Sequence, residues 1–511
     1  MSNINSISEL IAQIEKSVSS TYFVAQLITI ICLFLYGLFY LVVLSDDNSK
    51  DDLTFRTIIS FPMGLAAFSV IAFTMVTFNI PYNSCSVIIG CLLAALITYL
   101  IKIKVSSREK VRDNFKGLLS EVRTGYGVIL LCVVLVVAVI SCLGILSITV
   151  SNDSLYRASY YPRAIVHFGG YRYNYCTFLT DVGQGYALIN TLPFLFGFDE
   201  AFGLQHMLNF SFIALFFKTL TEIFEGKGKR IAFIVSAVTC LILLSSMPYV
   251  LISKWILSNA YFMTYVFLAA HLALRKNVPM LGIVVSALSL MRIEGGIYVA
   301  LLILCISTLE YTGRELGLYL LCPVIFLNCA YSIRIFLTME ITDPYCFLTP
   351  QKALIMAAIM ILALIYLMLI RKRLPHVISD HMGIMIILGE VMINLVLLVI
   401  SPSAFIGNLK HFFENIMFGG GWGIVPVAVF SIYMICILTD YKKFKWNYWD
   451  LMGFSFMFYS IAVTFMREGG LRVSVGDSGN RVLMQCVPFI LLAAISHLAE
   501  VINCETANKV E

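Results

Sequence analysis

Long apolar runs separated by short polar connections recur along the whole chain, from a run that begins near residue 22 to one that begins near residue 482. About fifteen of these runs approach the roughly 20 residues that an α-helix needs to cross the hydrocarbon core of a bilayer. Backbone polar groups inside hydrocarbon must be paired within the segment itself. The pattern therefore predicts an all-α polytopic membrane protein with about 13–15 transmembrane helices.

The longest polar and aromatic interruption of this pattern runs from residue 151 to residue 183 and follows directly on an apolar run. Charged groups beside a bilayer belong either to solvated surface or to a polar site. We interpret the loop as the floor of a polar site. Its Asp, Arg and His residues are Asp153, Arg157, Arg163, His167, Arg172 and Asp181.

Basic residues in the polar connections predict which side of the membrane each connection faces. Segment 102–123 holds seven Lys and Arg residues, and later basic loops fall on the same side when the runs are counted. Short cytoplasmic loops are enriched in Lys and Arg, so this side is predicted to be cytoplasmic. The polar loop is then outside the cell, and the expected location is a plasma membrane. Also outside are residues 251–259, 292–296, 339–351, 401–423 and 467–481.

The same features predict a division of the chain. Isoleucine and leucine recur at helical spacing near the start, which indicates a short interfacial helix. The basic linker is a natural module boundary. The predicted parts are an N-terminal interfacial helix at 1–20, a three-span module with the basic cytoplasmic linker at 21–123, a transmembrane core at 124–500 and a cytoplasmic tail at 501–511.

Composition excludes other classes. The chain is 60% hydrophobic and 13% charged, with a mean hydropathy of +0.90, whereas a soluble domain has about 25% charged residues. The net charge of +5 is modest and gives no argument for a nucleic-acid partner. No Cys or His spacing typical of zinc sites occurs. No cofactor is predicted with certainty, and the sequence gives no support for a divalent metal.

Basic residues in the outside segments need an explanation, because Lys and Arg are disfavoured there. The main candidates are Arg163, Lys254, Arg292 and Arg481. A phosphate or pyrophosphate ligand would explain them, since Arg offers planar, bidentate contacts to phosphate. Salt bridges or lipid head-group contacts are the alternative for each of them.

Arg292 and Glu294 interrupt an otherwise continuous apolar run and are followed by Gly295 and Gly296. A charge at the centre of a span costs roughly 2.5–3.5 kcal/mol on insertion. We therefore expect the pair at an outer helix–helix turn, facing the protein interior. A mutual ion pair that holds two helices together is the alternative.

In the order of these elements the chain resembles the GT-C superfamily of membrane glycosyltransferases, which includes protein O-mannosyltransferases and the aminoarabinose transferase of lipid A. The resemblance covers roughly residues 126–500. It is carried by an outer loop with an acid (ITVSNDSLYRASYYPRAIVHFGG), a second acid before a Gly/Pro-rich stretch (TFLTDVGQGYALINTLPFLFG), a hairpin (SALSLMRIEGG) and a late acid and Arg before an apolar span (VGDSGNRVLMQCVPFILLAA). Family members often carry adjacent acids in the first loop, whereas Asp153 here lies between Asn152 and Ser154.

The resemblance implies transfer of a sugar from a polyprenyl-phosphate carrier to an extracytoplasmic acceptor, which is a cell-surface glycan, a lipid or a protein. Asp153 is the expected catalytic base, and Asp181 positions the acceptor or serves as an alternate base. Asp153 and Asp477 also suit structural roles, as a helix cap and in a glycine-rich turn. The residues expected to bind substrate are Arg292, Glu294, Arg481, Asp477, Arg163 and Lys254.

Two other functions stay open at this point. A flippase or transporter of lipid-linked saccharides would use a similar basic outer cavity, but transporters often carry repeats, and none is visible in the sequence. A polysaccharide polymerase is chemically close to the transferase.

Glu390 stands alone in an apolar run. It is either a proton-relay site or a residue that forms a hydrogen bond to a neighbouring helix.

Overall fold

The computed structural model describes residues 20–45, 52–143, 155–226, 228–342, 346–373, 381–440, 445–468, 472–475 and 478–507. Asp153, Asp477 and nearly all of the predicted interfacial helix at 1–20 lie outside these ranges. The described residues form helices and contain no β-strand. The all-α class predicted from the sequence is confirmed.

The α-helices, in chain order, are α1 Thr21–Leu44, α2 Leu53–Thr77, α3 Ser84–Val105, α4 Arg108–Val122, α5 Gly125–Ser141, α6 Tyr161–Phe168, α7 Cys176–Asp181, α8 Gln184–Ile189, α9 Leu192–Leu195, α10 Gln205–Ile223, α11 Lys229–Leu244, α12 Met247–Ile252, α13 Ser258–Leu274, α14 Val278–Met291, α15 Gly295–Ile306, α16 Cys322–Ile333, α17 Pro350–Ile365, α18 Met382–Ile400, α19 Pro402–Glu414, α20 Val425–Asp440, α21 Tyr448–Glu468, α22 Ser478–Leu483 and α23 Val487–Ala507. Short π-helical segments occur at Leu155–Tyr160, Glu315–Leu321, Arg334–Thr338, Tyr366–Ile370 and Asn415–Gly419, and 3₁₀ turns occur at Tyr173–Tyr175 and Arg371–Arg373.

Six helical segments in the described residues are long and apolar enough to cross a membrane. They are Thr21–Leu44, Leu53–Thr77, Ser84–Val105, Glu315–Thr338, Pro350–Arg373 and Met382–Ile400. The chain is therefore a polytopic helical membrane protein. Other segments predicted as spans form shorter helices: α14 has 14 residues and α15 has 12, because the turn at Arg292–Glu294 separates them.

Side-chain caps explain where the first long helices begin. Ser20, Asp52 and Asn83 each have extended backbone, and each accepts a hydrogen bond from an amide in the first turn of the helix that follows. Such caps satisfy amides that have no partner inside the helix. Helices α4 and α5 are bent by 85° relative to each other.

The chain divides into two compact units. Unit 1 comprises the described residues within Met1–Phe212, Lys254–Ala300 and Arg314–Tyr366. Unit 2 comprises those within Ile213–Ser253, Leu301–Gly313 and Leu367–Glu511. The predicted functional division at residue 123 stays a prediction.

The core of unit 1 is built around α2, which packs against α1, α14 and α8. Gly37 of α1 and Gly64 of α2 meet at the closest point of their helices, where a Cβ atom on either one would overlap backbone atoms of the other helix. Lipid tails are as apolar as leucine, so close packing of small residues is a main source of helix association in a bilayer. The two glycines therefore fix how α1 lies on α2.

In unit 2, α18 and α23 both pack against α21, and α20 packs against α23. At its start, α21 has a reciprocal cap. Asn447 accepts hydrogen bonds from the amides of Trp449 and Asp450, and Asp450 accepts one from the amide of Asn447. The buried Asp450 carboxylate also contacts Tyr433 of α20 and His497 of α23. These bonds connect three helices of the unit at one end of α21.

Candidate functional site

Unit 1 contains a cavity of about 340 Å³ between the end of α14 and helices α16 and α17. Most of its lining is apolar. Leu337 and Leu354 belong to this lining although they are 73% and 72% exposed on the protein surface. Both belong to helical segments that are long enough to span a membrane. The cavity therefore opens on the apolar surface of two candidate membrane spans.

Polar side chains gather at one part of the cavity wall. Gln184, Ser289, Arg292, Asn328 and Ser332 all contribute to its lining. The Asn328 amide donates to the Ser289 hydroxyl at 3.4 Å and to the Val324 carbonyl at 2.9 Å. A mostly apolar cavity with a few fixed polar groups is the usual form of a small-molecule site, since the polar groups set the orientation of the ligand.

Arg292 is held in place by α13 and by its own turn. Its guanidinium donates to the Asn259 side chain at 3.0 Å, lies 3.6 Å from a Glu294 carboxylate oxygen and stands over the ring of Phe262, 5.0 Å from the centroid. The Arg292 and Glu294 side chains are each 12% exposed. The geometry agrees with both interpretations made from the sequence, because the pair faces the protein interior and also forms an ion pair.

The glycines after this pair allow the turn to pack tightly. A Cβ atom on Gly295 would meet the carbonyl of Ser289, and one on Gly296 would lie 3.2 Å from the side-chain oxygen of Asn328. The turn therefore lies directly on the helix before it and against a polar group of the cavity.

The connection between α7 and α8 lies against the turn that carries Arg292. Gly183 has no room for a Cβ atom, which would overlap the main chain at Met291 and the amide of Arg292. The next residue, Gln184, lines the cavity, and its side-chain amide donates to the Val182 carbonyl at 2.8 Å. The polar loop and the helix turn predicted from the sequence thus meet at one place in unit 1.

A buried hydrogen bond fixes the Gln184 side chain. The Tyr161 hydroxyl donates to the Gln184 side-chain oxygen at 2.8 Å. Burial raises the pKa of Tyr161 well above its usual range, so the hydroxyl keeps its proton and remains a donor. The Gln184 amide is therefore held in one orientation at the cavity wall.

Helix α7, which ends at Asp181, is also joined to the cavity lining. The hydroxyl of Tyr331 donates to the Leu179 carbonyl, and the amide of Leu348 donates to the Thr180 carbonyl at 3.1 Å. Both donor residues line the cavity. Asp181 itself accepts a hydrogen bond from Arg157 at 2.8 Å, and both side chains are 31% exposed. Asp181 is not itself among the described residues that line the cavity, but the preceding residues Leu179 and Thr180 are bonded to residues that do.

Other predicted site residues lie elsewhere. Arg163 pairs with Asp199 at 3.0 Å on the exposed surface, where such pairs contribute little to stability. Lys254 accepts a hydrogen bond on its carbonyl from Gln205, and its charge lies near His206. Neither basic residue is among the described residues that line the cavity.

Arg481 belongs to unit 2, and its helix α22 is positioned by its neighbour Asn480. The buried Asn480 side chain accepts from the Trp422 indole at 2.9 Å and donates to the Ser474 carbonyl at 2.6 Å. It also donates to the Gly420 carbonyl at 3.2 Å. Since Arg481 and Arg292 belong to different compact units, their predicted joint contact with one phosphate stays a prediction.

Several residues of the site were given no role from the sequence: Arg157, Tyr161, Gln184, Asn259 and Asn328. Arg157 could have been paired with Asp181 only with knowledge of the fold. Asn259 follows Ser258 at the end of a segment predicted to be outside, and Asn328 is a single polar residue inside an apolar run. Among the described residues, no group of three or more His, Cys, Asp or Glu side chains is arranged to hold a metal ion.

Comparison of the chain with protein-family models, with curated proteins and with solved structures finds no match. The functional argument therefore depends on the residues and their geometry.

Proposed function

We propose that this chain is a membrane glycosyltransferase that moves a sugar from a polyprenyl-phosphate carrier to an acceptor outside the cell. The observation that carries the proposal is the cavity of unit 1, which is mostly apolar, opens at the surface of two candidate membrane spans and is bounded by Arg292, whose side chain is 12% exposed. A lipid that carries a phosphate group has matching chemistry: an apolar chain for the lining and an anion for the arginine.

The proposed chemistry assigns one task to each group. The acceptor hydroxyl oxygen bonds to the anomeric carbon of the sugar, and the bond from that carbon to the phosphate oxygen breaks, with its electron pair passing to the phosphate. A carboxylate takes the proton of the hydroxyl, which is the general-base role expected of Asp153 or Asp181. Arg292 stabilises the negative charge that develops on the departing lipid phosphate.

The geometry around Asp181 supports its part in this scheme. Arg157 holds one carboxylate oxygen, and the backbone on either side of Asp181 is fixed to the cavity lining through Thr180 and Gln184. A base works only within hydrogen-bond reach of the proton that it takes, and a carboxylate held in one orientation meets that requirement better than a freely rotating one. The membrane is proposed to be the plasma membrane, with this site on the extracytoplasmic side.

The test uses the purified full chain, reconstituted in liposomes with polyprenyl-phosphate sugars labelled in the sugar. The wild type is expected to release label from the lipid to an added acceptor. Arg292→Gln should lower kcat/KM by about 10- to 100-fold, because a charge-assisted hydrogen bond contributes about 1.5–3 kcal/mol. Arg112→Gln is the matched control, since its guanidinium is 62% exposed and far along the chain from the cavity lining.

Each outcome decides between the functions. Label that stays on its lipid and crosses the bilayer would overturn the proposal in favour of a flippase. A ladder of products of increasing length would favour a polysaccharide polymerase. Equal loss in Arg292→Gln and Arg112→Gln would reject Arg292 as the phosphate ligand.

A further inference from the structure

Helix α18 buries polar residues where a membrane-spanning helix would be expected to bury apolar ones. It is one of the candidate spans, and its buried residues are Glu390 and Asn394, which are 8% and 9% exposed. They are four residues apart, so they lie on the same face with about 5–6 Å between their Cβ atoms. This face packs against α21 within unit 2.

Two of the four side-chain polar atoms of this pair have hydrogen-bond partners. The Ser455 hydroxyl of α21 donates to Oε2 of Glu390 at 2.7 Å, and it accepts a weak hydrogen bond from the thiol of Cys305 at 3.6 Å. The Asn394 amide nitrogen donates to the carbonyls of Glu390 and Phe458 at 2.9 and 3.1 Å. These two donations assign the nitrogen and oxygen of the Asn394 amide without ambiguity, because both of its partners are acceptors.

Two side-chain oxygens of the pair remain without a partner, and both can only accept hydrogen bonds when the carboxyl is ionised. Oε1 of Glu390 and Oδ1 of Asn394 are buried and have no hydrogen-bond partner in the described part of the chain. Nor do the described residues place a Lys or Arg within ion-pair distance of Glu390. A buried charge without a counter-ion and two unsatisfied acceptors on one helix face would each cost several kcal/mol in a bilayer.

We propose that Glu390 is a proton-binding site within the membrane, with the carboxyl holding a proton on Oε1 and donating it toward Oδ1 of Asn394. One proton removes the charge and turns one of the two unsatisfied acceptors into a donor. Oε2 keeps its bond from Ser455, so the carboxyl and both of its neighbours are satisfied at once. Loss of the proton would restore the charge in the contact between α18 and α21 and would favour separation of these helices.

The test is infrared spectroscopy of the purified full chain in lipid nanodiscs. The difference spectrum between wild type and Glu390→Gln is expected to show the carbonyl stretch of a protonated carboxylic acid. An ionised carboxylate band in its place would overturn the proposal. Gln has nearly the shape of the protonated acid and keeps a donor for Asn394, so this variant should fold. The control is Glu414→Gln. Glu414 forms a partly exposed ion pair with Lys410 in the same unit, so this variant should leave the acid band intact.

Two further variants keep the proposal testable if Glu390→Gln does not fold. Asn394→Ala removes the acceptor of the proposed proton, and Ser455→Ala removes the donor to Oε2. Each should shift the acid band of the wild type, because hydrogen bonding sets its frequency. An acid band that neither variant moves belongs to another carboxyl group, and that result would reject the assignment to Glu390. Sugar transfer is not part of this measurement, so its outcome is independent of the proposed function.

Discussion

Gly183 lies so close to Met291 that a methyl group on its α-carbon would overlap the Met291 carbonyl oxygen. This contact joins the loop after Asp181 to the turn that begins at Arg292. It fixes the backbone of the segment that follows Asp181 against the backbone of the turn that carries Arg292, and a backbone contact is more rigid than one between long side chains. Only glycine allows such an approach.

Gly183→Ala should therefore disturb both the site and the fold. Overpacking of this kind costs about 1–3 kcal/mol, and a displacement of about 1 Å at a catalytic group can lower the rate by about 100-fold. We expect a lower thermal unfolding midpoint in detergent and, for the protein that remains folded, a large loss of kcat. Gly117→Ala is the control, because its Cβ atom would meet nothing. Full activity of Gly183→Ala would show that the contact does not position the site.

Asp181→Asn tests the proposed base. If Asp181 takes the acceptor proton, kcat should fall by about 10²- to 10⁴-fold while KM changes little. An effect confined to KM would instead assign Asp181 to acceptor binding. The same assay on Asp153→Asn shows which of the two acids is the base.

Arg157→Gln asks what the ion pair with Asp181 contributes. The pair is partly exposed, so its coupling to stability should be at most about 1 kcal/mol. Its coupling to activity should be larger, since Arg157 orients the carboxylate. A double-mutant cycle with Asp181→Asn measures the coupling between the two side chains, both in the free energy of unfolding and in kcat. Additive effects on kcat would mean that the two side chains act independently.

Ala357→Trp should block the cavity from its wall on α17. Ala357 lines the cavity and is not fully buried, so a large side chain can be accommodated without a loss of folding. We expect weaker binding of a polyprenyl phosphate, measured as a smaller ligand-induced rise of the unfolding midpoint. Val136→Trp, on the exposed face of α5, should leave binding unchanged. Unchanged binding in Ala357→Trp would place the lipid elsewhere.

Gly64→Leu should destabilise unit 1 as a whole. The Cβ atom of any residue at this position would overlap the Leu33 carbonyl on α1, so the two helices would have to move apart. We expect a loss of at least about 1–3 kcal/mol, seen as a lower unfolding midpoint and lower yield. Gly407→Leu is the comparison, because no atom lies near its Cβ position. Equal stability of the two variants would contradict the close crossing.

The sequence predicted the helical membrane class, because long apolar runs are a direct physical requirement of spanning a bilayer. It also located the pair of Arg292 and Glu294, since charges inside an apolar run stand out. It also predicted a turn between the helices on either side of that pair, and α14 and α15 lie on either side of such a turn. The closeness of the packing, which leaves no room for a Cβ atom at Gly295, could not be predicted from composition.

The contacts that build the cavity could not be predicted in the same way. Gly183 and Met291 are 108 positions apart, and neither has a side chain whose chemistry indicates the other. Asn328 and Gln184 become significant only when the helices that carry them are placed around one space. Lys254 and Arg163 stood out from the sequence for their charge, yet the cavity lining does not include them.

The cavity opening at Leu337 and Leu354, on the apolar surface of two candidate membrane spans, has a consequence for the proposed entry of a lipid ligand. A ligand that enters there is presented by the bilayer, so its effective concentration is a mole fraction in two dimensions rather than a molarity. Diluting the proteoliposomes in buffer should leave occupancy almost unchanged, whereas diluting the ligand with added phospholipid should lower it in proportion. Saturation curves for this chain are therefore to be plotted against the surface density of the ligand in the bilayer.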